Sequence, residues 1–153
     1  MEKKKSDVNV PFVIVSTAVM FIILAVILIF VALAKDADNK FSSYLDYTRD
    51  FFNENYPDNH YFKLKDKVLY VNIWQPGTAL YMVTHKGSAE QEIRGKMDSL
   101  AKSLYSRLEN MGIEDYYKVV LILRNDENTE NVLMYWVDGE YQDPNKQDGF
   151  IFY

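Results

Sequence analysis

The chain contains no cysteine. A disulfide framework, thiol chemistry and a lipid anchor attached to cysteine are therefore excluded. The part of the sequence that follows the apolar N-terminal segment also lacks an Asn-x-Ser/Thr sequon. A secreted eukaryotic domain of this size would usually carry disulfides or glycans, so these two absences favour a bacterial cell surface.

Motifs for catalysis or for nucleic-acid binding are equally scarce. The two histidines, His60 and His85, lie 25 residues apart in the sequence, whereas a metal site needs three or four ligands. The chain has no Gly-x-Ser-x-Gly elbow, no phosphate-binding glycine-rich loop and no long basic stripe. We therefore expect no cofactor, no metal, no catalytic residue and no nucleic-acid partner, and a small envelope-associated hydrolase is kept as the alternative to a binding function.

An acidic segment, Asp126 to Glu130, begins like a calcium-binding loop, with oxygen-bearing side chains at its first, third and fifth positions. The glycine required at the sixth position is Asn131, and the glutamate required at the twelfth is Val137. The segment therefore predicts a turn with solvated charges between two strands.

Against these absences stands one long apolar run. Residues 11–34 form 24 consecutive residues without a charge, and Ser16 and Thr17 are the polar members of its apolar stretch. At about 1.5 Å of rise per residue, a helix of about 20 apolar residues crosses a hydrocarbon core of about 30 Å. The run predicts a single transmembrane helix.

The flanks of this helix predict its orientation. Three lysines, Lys3 to Lys5, precede the helix, and two, Lys35 and Lys40, follow it. By the positive-inside rule, residues 1–10 form a short cytoplasmic tail and residues 36–153 lie outside. The alternative is a signal peptide cleaved near Ala34, although its apolar stretch greatly exceeds the usual ~7–15 residues.

Small residues recur along the same helix. Ala18, Ala25 and Ala32 are spaced by seven and therefore share one stripe, where small side chains let two backbones approach. The pattern is typical of a homodimer packed through the membrane helix; the alternative is that alanine is simply common in membrane helices.

Residues 36–153 are long enough for one domain with its own core. They contain 20 acidic and 13 basic residues, a net charge of −7. An acidic domain is repelled by anionic headgroups, so we expect it to stand off the bilayer.

Hydrophobic periodicity predicts the elements of this domain. The expected order is a helix ending near Tyr56, a strand, a long helix, two strands and a short final strand, with the apolar end 149–153 on the sheet edge. The predicted ranges are an edge strand at Tyr61–Leu64, strands at Val68–Trp74, Tyr117–Leu123 and Val132–Val137, a helix from Ser88 to Gly112 with an ambiguous region Thr78–His85 before it, and a short strand starting at Glu140. We predict a two-layer α+β domain with a small, mainly antiparallel sheet, in which the Val68–Leu123 unit makes one parallel pair.

One face of the predicted sheet carries aromatic side chains. Tyr70, Asn72 and Trp74 alternate on one strand, and Tyr135 lies on a neighbouring strand. If helices cover only the opposite face, this one is an exposed partner-binding surface for protein or glycan. The alternative is that loops and the C-terminal Phe150 and Phe152 cover it. The prediction is therefore a membrane-tethered extracytoplasmic interaction module.

Overall fold

A computed structural model describes the backbone of residues 10–143 and the side chains of residues 19–143. The prediction for 149–153 lies outside the described residues. The chain forms two compact units, Met1–Asp38 and Asn39–Tyr153. The elements in chain order are α1 (Val10–Asn55), β1 (His60–Lys65), β2 (Val68–Ile73), α2 (Thr78–Met111), β3 (Lys118–Arg124), β4 (Val132–Val137) and β5 (Glu140–Gln142).

The first unit carries the apolar part of α1. This helix is long and apolar enough to span a membrane, and its most apolar window is not buried against the rest of the chain. Apolar side chains point outward all round, from Met20 and Phe21 to Phe30 and Val31. A helix that is apolar on every side and exposed has no core of its own to enter, as expected for a membrane span.

Within the second unit, the last turns of α1 are amphipathic. Phe41, Tyr44, Thr48 and Phe52 step by three or four residues and are buried. The Tyr44 hydroxyl donates to the Leu104 carbonyl of α2 at 3.2 Å. The helix ends at Asn55, two residues before Pro57, which confirms the predicted stop.

Helix α2 consists of two helical segments that meet at Lys86, whose φ of 45° and ψ of −130° are not helical. Just after this kink, the Ser88 hydroxyl donates to the His85 carbonyl at 2.8 Å. The second segment follows the predicted Ser88–Gly112 helix, and Gly112 ends it at a φ of 64° with its N–H bonded back into the last turn. The ambiguous region before Ser88 is helical.

The five strands form one sheet in the order β1-β2-β3-β4-β5. Strands β2 and β3 are parallel, whereas the other neighbouring pairs are antiparallel. The sheet is therefore mixed rather than mainly antiparallel as predicted. Helix α2 is the reason, because it returns the chain to the starting edge so that β3 runs in the direction of β2.

Two-residue turns connect the strands at both edges of the sheet. Asp66 and Lys67 join β1 to β2, and Asp138 and Gly139 join β4 to β5, all four with positive φ. Positive φ at both central residues is the geometry of a type I′ turn, which matches the twist of a hairpin.

The sheet has two faces, which the register defines. We call one the helix face: it carries Leu69, Val71, Ile73, Val119, Leu121, Leu123, Met134 and Trp136. We call the other the second face: it carries Tyr70, Asn72, Val120, Ile122, Arg124, Tyr135 and Val137. The helices pack on the helix face, where Phe52 of α1 contacts Phe62 of β1 and the Trp136 indole N–H donates to Asp98 of α2.

The start of α2 is capped from a distance. Gly77, at the N-cap, has no side chain to offer, and its N–H and that of Ala79 donate to the Asp126 carboxylate at 2.6 and 2.8 Å. Burial acts to raise the pKa of Asp126, but these backbone donors outweigh it and hold the pKa below its usual range. The loop predicted as solvated charges therefore anchors a helix.

We predict that Asp126→Ala destabilises the second unit by about 1 kcal/mol, because two N–H groups of the first turn lose their acceptor. Since the folded-state pKa lies below the unfolded value, the stabilisation is complete above the unfolded pKa and is lost as the pH falls through the folded pKa. Amide hydrogen exchange of residues 78–81, in the full chain held in lipid nanodiscs, measures the effect. Glu127→Ala is the matched control, and equal protection in the two variants would contradict the assignment.

Candidate functional site

The structure separates the four residues predicted to form a partner-binding face. Tyr70, Asn72 and Tyr135 lie on the second face and are buried, with 6%, 0% and 4% of their surface exposed. Trp74 follows the last residue of β2 and is half-buried. Of the four, Trp74 is the residue that reaches the surface.

Tyr70 and Tyr135 belong to a second apolar cluster together with Val120 and Ile122. The register explains it, because Tyr70 pairs with Val120 and Ile122 pairs with Tyr135, so all four side chains share one face. Their burial assigns them to the core of the domain.

Asn72 is fixed by a buried arginine. The Arg124 Nε–H donates to Asn72 Oδ1 at 2.7 Å, and Arg124 Nη1 donates to the carbonyl of Thr129 at 2.9 Å. Both Asn72 and Arg124 are buried. A buried guanidinium needs acceptors, so this pair anchors the loop after β3 to the sheet.

A hollow of about 360 Å³ opens at the end of β2, where Trp74 lies. We call it the Trp74 hollow. The residues that line it are Phe51, Asn55, Tyr56, Pro57, Asn59, Trp74 and Gln75. They come from the end of α1, from the turn that follows it and from the segment after β2.

Backbone hydrogen bonds hold these three segments together. The Tyr56 N–H donates to the Phe52 carbonyl at 2.8 Å, and the Asn59 N–H donates to the Tyr56 carbonyl at 3.1 Å. The Trp74 N–H then donates to the Asn59 carbonyl at 3.0 Å, which continues the β1–β2 ladder by one step. The hollow is therefore built on hydrogen-bonded backbone.

The lining combines aromatic rings with side-chain amides. Asn55, Asn59 and Gln75 each offer a carbonyl acceptor and an NH₂ donor. The Asn55 amide donates to the Phe51 carbonyl at 2.8 Å, which orients it over the last turn of α1. The lining side chains, all from the described part of the chain, carry no formal charge.

Tyr56 adds a phenol to this lining. Burial raises the pKa of Tyr56, so the hydroxyl remains protonated at neutral pH and can donate a hydrogen bond. Tyr61, which is 39% exposed, lies beside the hollow with its ring centre 6.2 Å from that of Trp74. The residues that line the hollow are therefore aromatic or polar and carry no formal charge.

Each of the two histidines makes its own local contact. His60 Nδ1 lies 2.8 Å from the Tyr56 carbonyl, and His85 Nδ1 lies 2.8 Å from the Thr84 hydroxyl. Within the described residues, no group of three or more His, Asp and Glu side chains is placed to hold a metal ion. The Nδ1 atom of each histidine is therefore engaged by a neighbouring residue in the sequence.

The residues predicted to pack in a membrane dimer lie on α1. Ala25 and Ala32 are exposed along the apolar stretch. Ala18 belongs to the same helix, but its side chain lies outside the described side chains.

The sequence pattern identified Trp74 as a candidate binding residue but did not predict that the 56–59 turn lies beside it. The missing step was the hairpin, in which His60 pairs with Ile73 and so places Asn59 opposite Trp74. Comparison of the chain with protein-family models, with curated proteins and with solved structures finds no match.

Proposed function

We propose that this chain is a membrane-tethered extracytoplasmic binding module, and that the Trp74 hollow holds a neutral glycan of the cell surface. The observation that carries the proposal is the chemistry of the lining, in which aromatic rings and three amides converge without a charge. Ligand sites of this kind combine apolar walls with a few placed polar groups.

Sugar hydroxyls both donate and accept hydrogen bonds, as do the amides of Asn55, Asn59 and Gln75. The apolar face of a sugar ring packs on an aromatic side chain, and Trp74 and Tyr56 supply such rings at the same hollow. A charged peptide would find no countercharge among the lining residues, so the geometry favours a glycan over a protein partner.

The tether follows from the N-terminal helix. The helix is long and apolar enough to span a membrane, and the lysines at positions 3–5 favour a cytoplasmic N-terminus. The domain that follows the helix would then lie outside, where surface glycans are found.

We predict that a single cysteine at Glu127, an exposed position, reacts with a membrane-impermeant maleimide on intact cells. Lys4→Cys should react only after permeabilisation. The absence of native cysteine makes each label unambiguous. The reverse labelling pattern would contradict the orientation, and an N-terminus at residue 35 in the mature protein would show cleavage instead of a retained helix.

We predict that Trp74→Ala weakens binding to purified cell-surface glycans by about 2 kcal/mol, roughly 30-fold, because a central aromatic contact is lost. The full chain in nanodiscs is assayed on immobilised glycans. Tyr116→Ala, an exposed tyrosine that does not line the hollow, is the matched control.

Equal glycan binding by Trp74→Ala and by the parent chain would show that the hollow is not the glycan-binding site. A photo-crosslinker at Gln75 that captures a protein, with no glycan retained, would instead make this surface a protein interface. Glycan cleavage that is lost in His60→Ala would favour the hydrolase alternative.

We also propose that the chain forms a homodimer through the stripe of Ala18, Ala25 and Ala32. We predict that Ala25→Leu weakens self-association in a membrane two-hybrid assay, because the larger side chain separates the two backbones. Leu24→Ile, next to Ala25 and off the stripe, is the control. Undiminished association of Ala25→Leu would show that the stripe is not the contact.

A further inference from the structure

A second hollow, of about 250 Å³, lies between the last turns of α1 and the second segment of α2. We call it the Arg107 hollow. Tyr47 and Phe51 of α1 give it an aromatic wall, and Leu104 of α2 adds apolar surface. Phe51 also lines the Trp74 hollow, so the two hollows are neighbours.

The polar lining of the Arg107 hollow comes from one face of α2. Ser103, Ser106, Arg107 and Asn110 are spaced by three, one and three residues, which places them on neighbouring turns of the same helix face. Two hydroxyls, an amide and a guanidinium therefore offer hydrogen-bond donors to one space. Within the described part of the chain, no carboxylate lines this hollow.

An aromatic ring holds the guanidinium of Arg107 in place. The central carbon of the guanidinium lies 3.3 Å from the centre of the Tyr47 ring. The face of an aromatic ring attracts a cation but carries no formal negative charge. The contact therefore positions the positive charge of Arg107 without neutralising it.

This positive charge has no countercharge in the described structure. Among residues 19–143, Arg107 forms neither an ion pair nor a hydrogen bond, and its Nε atom is shielded from solvent without an acceptor. A shielded donor without an acceptor is costly. Arg124 shows the contrast, because its guanidinium donates to Asn72 and to loop carbonyls. The lining of the Arg107 hollow therefore lacks an acceptor that a ligand can bring.

We propose that the Arg107 hollow binds a small organic oxyanion, a carboxylate or a phosphate ester that is attached to an apolar group. The planar guanidinium fits the oxygens of either group, and the neighbouring hydroxyls and amide can donate further hydrogen bonds. The aromatic wall packs on the apolar group. Pockets for drug-sized ligands occupy about 300–1,000 Å³, so this smaller hollow suits a single ring or a short chain. The site is additional to the neutral glycan site and does not depend on it.

Titration calorimetry with benzoate and with phenyl phosphate tests the proposal, on the full chain in nanodiscs of zwitterionic lipid. At least one of these oxyanions should bind, and the ratio of their affinities identifies the carboxylate or the phosphate as the preferred group. Benzamide has the same ring without the charge and should bind about tenfold more weakly or worse, because it offers no charge-assisted hydrogen bond. Binding of neither oxyanion, or equal binding of benzamide and benzoate, would overturn the site.

Two arginine variants locate the binding. Arg107→Gln should weaken oxyanion binding about tenfold or more, since the charged donor is lost. Arg49→Gln is the matched control, because it removes the same charge from an exposed arginine that is paired with Asp46 and lies outside the hollow. An equal loss in the two variants would show a general charge effect and would overturn the site.

A serine variant keeps the test decisive if Arg107→Gln disturbs the packing of the two helices. Ser103→Asp, at an exposed position, places a carboxylate beside the guanidinium, so oxyanion binding should fall about tenfold or more. Ser99→Asp, exposed one turn earlier and outside the hollow, should leave binding unchanged. Oxyanion binding that Ser103→Asp leaves unchanged would overturn the proposal, whatever the result with Arg107→Gln.

Discussion

The central strand of the sheet, β3, is apolar on both faces over residues 119–123, and both faces must be covered there. Residues 119–123 of β3 are all buried, so alternate side chains of this strand point into two different cores. The parallel pairing of β2 with β3 follows from the same constraint, because a crossover helix returns the chain to the starting edge and covers one face on the way. The side chains at the centre of the second face are buried as well.

Closing both faces determines where the domain can bind. A surface ligand cannot reach the centre of the sheet, so the accessible sites are its edges and the ends of its strands. At the end of β2 the backbone of Trp74 is fixed by Asn59, and the turn after α1 brings amides beside the ring. The hollow therefore results from the way that the β1–β2 hairpin meets the end of α1.

The sequence predicted those parts of the fold that depend on neighbouring residues. The stop of α1 before Pro57, the C-terminal end of α2 at Gly112 and the strands β3 and β4 all have a local cause and are confirmed. The Asp66–Lys67 turn escaped prediction because neither residue is glycine or asparagine, the usual residues at positive φ. The start of α2 was ambiguous because its cap, Asp126, lies 49 residues from Gly77 in the sequence.

In the candidate site, too, the sequence predicted what depends on neighbouring residues and missed what depends on distant ones. Alternation in β2 correctly placed Tyr70 and Asn72 on one side of the strand, but whether that side is open depends on residues far away in the chain. Trp74 could be recognised as a large aromatic at a strand end; the amides of Asn55 and Asn59 could not, since only the hairpin register places them beside it.

Tyr70 and Trp74 differ in burial because the pairing of β2 with β3 ends between them, at Ile73. The two residues are four apart and on the same side by alternation, yet Tyr70 is core and Trp74 is half-buried. Tyr70 pairs with Val120 in the middle of the sheet, whereas the parallel register with β3 ends at Ile73. Beyond that point no residue of β3 pairs with Trp74, so its ring borders the hollow. A binding surface at this position needs no exposed sheet face, and the domain can keep both cores closed while presenting one aromatic ring.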